Sequence, residues 1–187
     1  NNPKEAWKTI NSLLGRSPSD TSVNELKVND AVLTSPGEIA EAFNAYFSNV
    51  GLTLANSMAD SSVSFEQFVK PTQSKMLRFK LVPYSKVLNL LNSLSKSKAT
   101  GLDKISGKIL KAAACSIASS LTYIFNHALI SCHFPSEWKV ARLLPLFKKG
   151  PRNFAENYRP ISILPSISKI MERIMYDQLY EYLDRNS

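Results

Sequence analysis

The stretch Lys139-Val140-Ala141-Arg142-Leu143-Leu144-Pro145-Leu146-Phe147-Lys148-Lys149-Gly150-Pro151-Arg152-Asn153-Phe154-Ala155-Glu156-Asn157-Tyr158-Arg159-Pro160-Ile161-Ser162-Ile163-Leu164 decides the fold. Val140, Leu143, Leu144, Leu146 and Phe147 form a short apolar run that reads as a buried strand, although a run of this length is also compatible with a turn of helix. Lys148 to Asn157 is a polar loop punctuated by Gly150-Pro151, and Tyr158 to Leu164 returns as a second strand. Pro160 has no N–H for a ladder, so the returning strand is an edge strand or a bulged one. One antiparallel hairpin is therefore expected inside a chain that is otherwise helical.

Working outward, Pro165 and Ser166 open a closing helix with Ile167, Ile170, Met171, Ile174, Leu179 and Tyr182 at helical spacing. On the other side, Ile117, Leu121, Ile124, Phe125, Ala128 and Leu129 predict a helix that stops at Cys132-His133-Phe134-Pro135. Ser106 is placed to cap a helix bearing Ile109, Leu110 and Ala113, and Ser85 to cap another bearing Val87, Leu90, Leu91 and Leu94. Ser35-Pro36-Gly37-Glu38 has capping-box spacing with proline at the first helical position, ahead of Ile39, Phe43, Tyr46, Phe47 and Val50. Leu26 to Leu33 can make a short hairpin around Asn29-Asp30, and Trp7, Ile10, Leu13 and Leu14 predict an opening helix ended by Gly15. Residues 57–78 are polar and irregular, with Pro71 as punctuation, and read as a linker or mobile loop. The chain starts at Asn1 rather than Met and stops at Ser187 just past a helical pattern, so it is expected to be part of a longer polypeptide.

The 187 residues carry a formal net charge of +8, which favours polyanionic partners, and 44 % hydrophobic residues, which excludes wholesale disorder. The charge is concentrated. Lys139, Arg142, Lys148, Lys149, Arg152 and Arg159 face the single acid Glu156 within the hairpin region, and Lys96, Lys98 and Lys104 surround Gly101. A fan of cations on a strand–loop–strand can address a phosphate cluster, and lysines beside a glycine can approach a phosphate backbone closely. Each cluster also has a plainer reading, as a solvated hairpin tip and a solvated interhelical loop.

Other chemistries are absent. There is no phosphate-binding glycine loop, no GxGxxG, no CxxC pair and no HExxH. His127 and His133 lack the spacing of two ligands on one helix face, so no metal site is expected in this chain. Cys115 and Cys132 read as reduced, buried, small hydrophobes. No apolar run approaches the roughly 20 residues of a membrane span, so no membrane partner is expected and an intracellular setting fits.

At residues 95–106, Ser-Lys-Ser-Lys-Ala-Thr-Gly-Leu-Asp-Lys-Ile-Ser resembles the opening motif of the reverse transcriptases of non-LTR (LINE-like, jockey/CR1-type) retrotransposons, Lys-Ala-x-Gly-Pro-Asp-Gly-Ile. Lys98, Ala99, Gly101, Asp103 and Ile105 match, while Leu102 stands where the family has proline and Lys104 where it has glycine. Phe134-Pro135-Ser136-Glu137-Trp138-Lys139, Leu144-Pro145-Leu146-Phe147-Lys148-Lys149-Gly150, Asn157-Tyr158-Arg159-Pro160-Ile161-Ser162-Ile163-Leu164 and Ser168-Lys169-Ile170-Met171-Glu172 are similar to the blocks that follow. Upstream, Trp7-Lys8-x-Ile10-Asn11 and Phe43-Asn44-Ala45-Tyr46-Phe47-Ser48-Asn49-Val50-Gly51 resemble the segment joining endonuclease to polymerase.

The resemblance implies an α+β, helix-rich chain: a partial right-hand polymerase, fingers and start of palm, with a small antiparallel β-hairpin. It divides the chain into 1–56, the helical segment joining endonuclease to polymerase; 57–78, the linker; and 79–187, the fingers and N-terminal part of the reverse transcriptase domain. It further implies a fragment of an RNA-directed DNA polymerase that binds RNA template, DNA primer and the incoming dNTP. Arg159 and one of Lys148 or Lys149 would neutralise the triphosphate, and Lys96, Lys98, Lys104, Lys139, Arg142 and Arg152 would contact template. Asp103 would be a loop or cap carboxylate, and Tyr158, Ile161, Ile163 and Leu164 core. The family's Phe-x-Asp and Tyr-Ala-Asp-Asp blocks do not occur in the 187 residues, so no catalytic residue is assigned. Magnesium is implied only for the complete polymerase. Glu172, Asp177, Glu181 and Asp184 read as the solvated face of the closing helix, whose apolar stripe would dock the palm and thumb of the same polypeptide. The setting would be the nucleus or a cytoplasmic ribonucleoprotein. A non-catalytic nucleic-acid-binding module is the alternative.

Overall fold

The computed structural model describes residues 3–15, 22–59, 63–68 and 76–186. The chain is helix-rich, with two small antiparallel sheets, and it divides into two compact units. The first unit holds the residues up to Ala55 together with Pro145–Pro160; the second holds Asn56–Leu144 and the residues from Ile161 onward. Pro71, and with it much of the linker, lies outside the described residues; within the rest of that stretch Phe65–Phe68 make a 3-10 turn.

In the first unit, helix α1 (Pro3–Leu13) ends at Gly15, whose φ of +60° is the left-handed geometry that favours glycine after a helix. Strands β1 (Leu26–Val28) and β2 (Ala31–Leu33) pair antiparallel in the register Leu26↔Leu33, Lys27↔Val32, Val28↔Ala31. Asn29 turns the hairpin at φ +55°, which a short side chain able to bond its own backbone tolerates. Helix α2 (Pro36–Ser57) begins at the expected proline and buries Ile39 and Phe43. These two join Leu26 and Tyr158 in a small core flanked by Phe47, Phe147 and Leu33.

The second unit is built on helices α3 (Tyr84–Ser93), α4 (Gly107–Ala112), α5 (Ala114–Ser131) and α6 (Ser166–Asn186), with α3 packed against the other three. Val87 and Leu91 of α3, Ala118 and Phe125 of α5, and Ile170, Met171 and Ile174 of α6 form its core. Phe125 is fully buried with Trp138 edge-on at 5.6 Å, and burying a side chain of that size contributes about 3 kcal/mol. Ser106 caps α4 as expected, its Oγ accepting from the Ile109 N–H at 3.3 Å. Ser85 does not cap α3. Pro83 occupies the cap, extended at φ −74°, ψ 150°, because its ring already supplies a φ suited to helix entry.

Strand β3 (Arg142–Phe147) pairs with strand β4 (Tyr158–Ile163). β3 is not the buried strand expected: Leu143, Pro145 and Phe147 are half-buried while Arg142, Leu144 and Leu146 are exposed, the alternation of a strand covered on one side. β4 buries Tyr158 and Ile163, but Ile161, expected in the core, is exposed. Cys115 and Cys132 are likewise exposed, because the buried stripe of α5 runs through Ala114, Ala118, Leu121, Phe125 and Ala128 and leaves both thiols off it.

The acids of α6 are not simply solvated. The Asp177 carboxylate accepts from Lys86 Nζ at 2.6 Å and Arg173 Nε at 2.7 Å, Glu172 accepts from the buried Ser168 hydroxyl at 2.8 Å, and Glu181 pairs with Arg185. Hydrogen bonding from Lys86 holds the Asp177 carboxyl below its ordinary range, burial opposing and the Lys86 and Arg173 charges adding. The expected apolar stripe on this helix is present: Tyr176, Leu179, Tyr180 and Leu183, at i, i+3, i+4 and i+7, are exposed. No helix among the described residues is long and apolar enough to cross a membrane.

Candidate nucleic-acid interface

In the first unit the cations Lys148, Lys149, Arg152 and Arg159 lie on or beside the tip between β3 and β4, and all four are exposed. Local bonds fix the tip. The Lys148 N–H donates to the Asn157 carbonyl at 2.8 Å and closes the loop. Asn157 Nδ2 donates to the Pro151 carbonyl at 2.7 Å, and Gly150 turns the chain at φ +88° directly against the Asn157 amide, where a Cβ would sit about 3.0 Å from it. Asn153 ties the loop to β1: its carbonyl accepts from the Lys27 N–H at 2.7 Å and its Nδ2 donates to Glu25.

Strand alternation then sorts the side chains. Phe147 and Tyr158 share one face, with ring centroids 5.5 Å apart, and Tyr158 meets Phe43 of α2 edge-on at 5.0 Å. The Tyr158 hydroxyl donates to the Arg152 carbonyl at 2.6 Å; burial raises its pKa and the Arg152 charge partly offsets that. The Arg152 guanidinium lies 4.6 Å from the Phe147 ring centroid. Lys148 and Arg159 fall on the opposite face, since the Lys148–Asn157 bond and the alternation from Asn157 to Arg159 put them on one side. Lys148 and Arg159 thus lie away from the anchored aromatic face of the tip, over which Arg152 is stacked.

In the second unit, Lys96, Lys98 and Lys104 are exposed on the loop between α3 and α4, while Lys139 closes the 3-10 turn Ser136–Trp138 and Arg142 opens β3. Backbone packing holds the α3–α4 loop. A Cβ on Gly101 would lie 2.7 Å from Pro165 N and 2.9 Å from its Cα, so only glycine fits against the entrance of α6. Asp103 Oδ1 accepts from the Ile105 N–H at 3.1 Å, a loop carboxylate as expected. Lys104 adopts φ +56°, a left-handed conformation at the position where the similar motif has glycine. The sequence reading missed Gly150, Asn153 and Asn157 as the residues that hold the tip; Gly150-Pro151 was the visible signal, and the two asparagines gave none.

The chain is 31 % identical over 115 residues to the RNA-directed DNA polymerase from mobile element jockey of Drosophila melanogaster, covering 61 % of this chain and 13 % of that protein. It is 27 % identical over 181 residues to a 115 kDa protein in a type-1 retrotransposable element of the same species, covering 96 % of this chain and 16 % of that protein. A relative from transposon BS, also of Drosophila melanogaster, is 33 % identical over 108 residues, covering 57 % of this chain and 12 % of the relative. This chain is similar to RNA-directed DNA polymerases of mobile elements. It spans between 12 % and 16 % of the length of these three proteins. No protein-family model matches it. Within the reverse transcriptase resemblance, the position usually glycine is the one that Lys104 holds left-handed, and the glycine kept, Gly101, is the one with no room for a side chain.

Proposed function

We propose that this chain supplies the fingers-side part of an RNA-directed DNA polymerase, binding RNA template with DNA primer and receiving the incoming dNTP on the hairpin tip. The observation that carries this reading is the two-faced tip, with Phe147 and Tyr158 anchoring one face and Lys148 and Arg159 on the other. Cations on a braced hairpin can neutralise a triphosphate at little cost in reorganisation. Lys149 shares that role, and Lys96, Lys98, Lys104, Lys139, Arg142 and Arg152 serve template contacts. The apolar stripe of α6 is the face on which palm and thumb would rest, and the setting would be an intracellular ribonucleoprotein.

The acids of α6 do not fit the magnesium that such a polymerase uses. Glu172, Asp177 and Glu181 are already engaged by Ser168, by Lys86 and Arg173, and by Arg185, and the Phe-x-Asp and Tyr-Ala-Asp-Asp blocks do not occur in the 187 residues. The chain by itself is therefore read as binding without polymerising, which keeps the non-catalytic module as the second reading.

The reading is tested in a protein extended through the palm. Arg159→Ala should raise KM for dNTP or lower kcat markedly, with primer–template affinity little changed. Unchanged kinetics would remove Arg159 from the site. For the isolated chain, affinity for an RNA–DNA primer–template should fall steeply with salt, with a log–log slope of about −0.9 per phosphate neutralised.

A further inference from the structure

Residues 77–82, which precede α3, belong to no helix or sheet, and side chains hold their main chain. The Lys80 N–H donates to Gln178 Oε1 at 2.7 Å and the Lys80 carbonyl accepts from Gln178 Nε2 at 3.1 Å. The Val82 N–H donates to Asn126 Oδ1 at 2.7 Å and the Val82 carbonyl accepts from Asn126 Nδ2 at 3.0 Å. Each carboxamide thus copies the paired donor and acceptor that a neighbouring strand would offer. Lys80 and Val82, two apart and each bonded through both N–H and C=O, show the pattern of an extended segment with one edge satisfied.

In an extended segment the main-chain groups of the intervening Phe79 and Leu81 face the opposite edge. Among the described residues nothing bonds them, and the side chains of Phe79 and Leu81 are 39 % and 59 % exposed. An open strand edge is a template for another strand, and a chain normally blunts it. Arg78 and Lys80 are the only charges from Met76 to Pro83, and both are exposed. A second copy of this chain is a poor occupant. Paired antiparallel, it would set Arg78 opposite Lys80, or Lys80 opposite itself, and like charges across a strand pair are destabilising.

We infer that the Phe79–Leu81 edge accepts an extended peptide segment carrying carboxylates at alternate positions, added as a strand with its acids opposite Arg78 and Lys80. This surface is separate from the cationic loops and does not depend on the nucleic-acid reading.

The test uses the whole 187-residue chain and a blocked peptide of alternating Val and Glu, with amide exchange followed residue by residue. Exchange at Phe79 and Leu81 should slow about tenfold once the peptide reaches about ten times its Kd, while Lys80 and Val82, already bonded, change little. The same peptide N-methylated at alternate residues should have no effect, because its bonding edge is blocked. Doubling the substitution to Arg78→Glu with Lys80→Glu, both on exposed side chains, should transfer the preference to a Val–Lys peptide. No slowing at Phe79 and Leu81, equal slowing by the N-methylated peptide, or an unchanged preference in the charge-reversed variant would each overturn the inference.

Discussion

The two basic loops of this chain carry similar charge and are held in opposite ways. The tip at 148–157 is anchored by side chains: the aromatic contacts of Tyr158 with Phe43 and Phe147, and the amides of Asn153 and Asn157. The loop at 95–106 is anchored by the absence of a side chain, Gly101 lying against the Leu164–Pro165 peptide. A side-chain anchor fails in proportion to the atoms removed. A backbone anchor fails when a single atom is added. The comparison shows that cation placement can be fixed by either route, and that each route has its own breaking substitution.

The largest effect should come from Phe43→Ala, which deletes the ring that Tyr158 packs on. It should cost about 3–4 kcal/mol in the first unit, seen as lost exchange protection at the Lys27 and Lys148 amides, with Ile109 in the second unit unaffected. Next is Gly101→Ala. Its new methyl meets main-chain atoms that cannot give way, so about 2 kcal/mol should be lost and the Ile105 and Ile109 amides should exchange faster. Lys104→Gly sharpens the comparison from the other side. It relieves a left-handed lysine, and the urea midpoint should rise by the equivalent of about 1 kcal/mol; a fall would show that φ +56° carries no strain.

The smallest effect is electrostatic. The Lys86–Asp177 pair joins α3 to α6 at a partly exposed site, where such a pair contributes about 0.5 kcal/mol. The Asp177 pKa is lower folded than unfolded, so the unfolded chain takes up the proton first as pH falls. Its contribution is therefore whole at neutral pH and lost as pH drops from the ordinary carboxylate range through the depressed value. The stability gap between the natural chain and Asp177→Asn should hold from neutral pH down to about pH 4 and close as pH falls further; a gap independent of pH would assign it to packing.

Much of this was legible in the sequence, because helices and caps are written locally. The stripe of α5, the Ser106 cap, the Asn29 turn and the hairpin at 142–163 follow from period, capping chemistry and punctuation. What was hidden depends on partners remote in the chain. Leu144 and Ile161 are apolar yet exposed, since composition does not say which face of a strand is covered. Asn126 and Gln178 look like ordinary helix-surface amides until the main chain of Val82 and Lys80 is seen against them. At the hairpin tip the cations can be read directly from the sequence, but the asparagine bracing cannot.

The first unit takes its core from two stretches of chain more than a hundred residues apart, Phe43 in one and Tyr158 in the other. A ribosome adding about 5–20 residues per second emits the first stretch on the order of ten seconds before the second. For that interval Ile39, Phe43 and Phe47 have no Tyr158 to close over them, and a growing chain with an unfinished aromatic core is a natural client for a chaperone that shields apolar surface during synthesis.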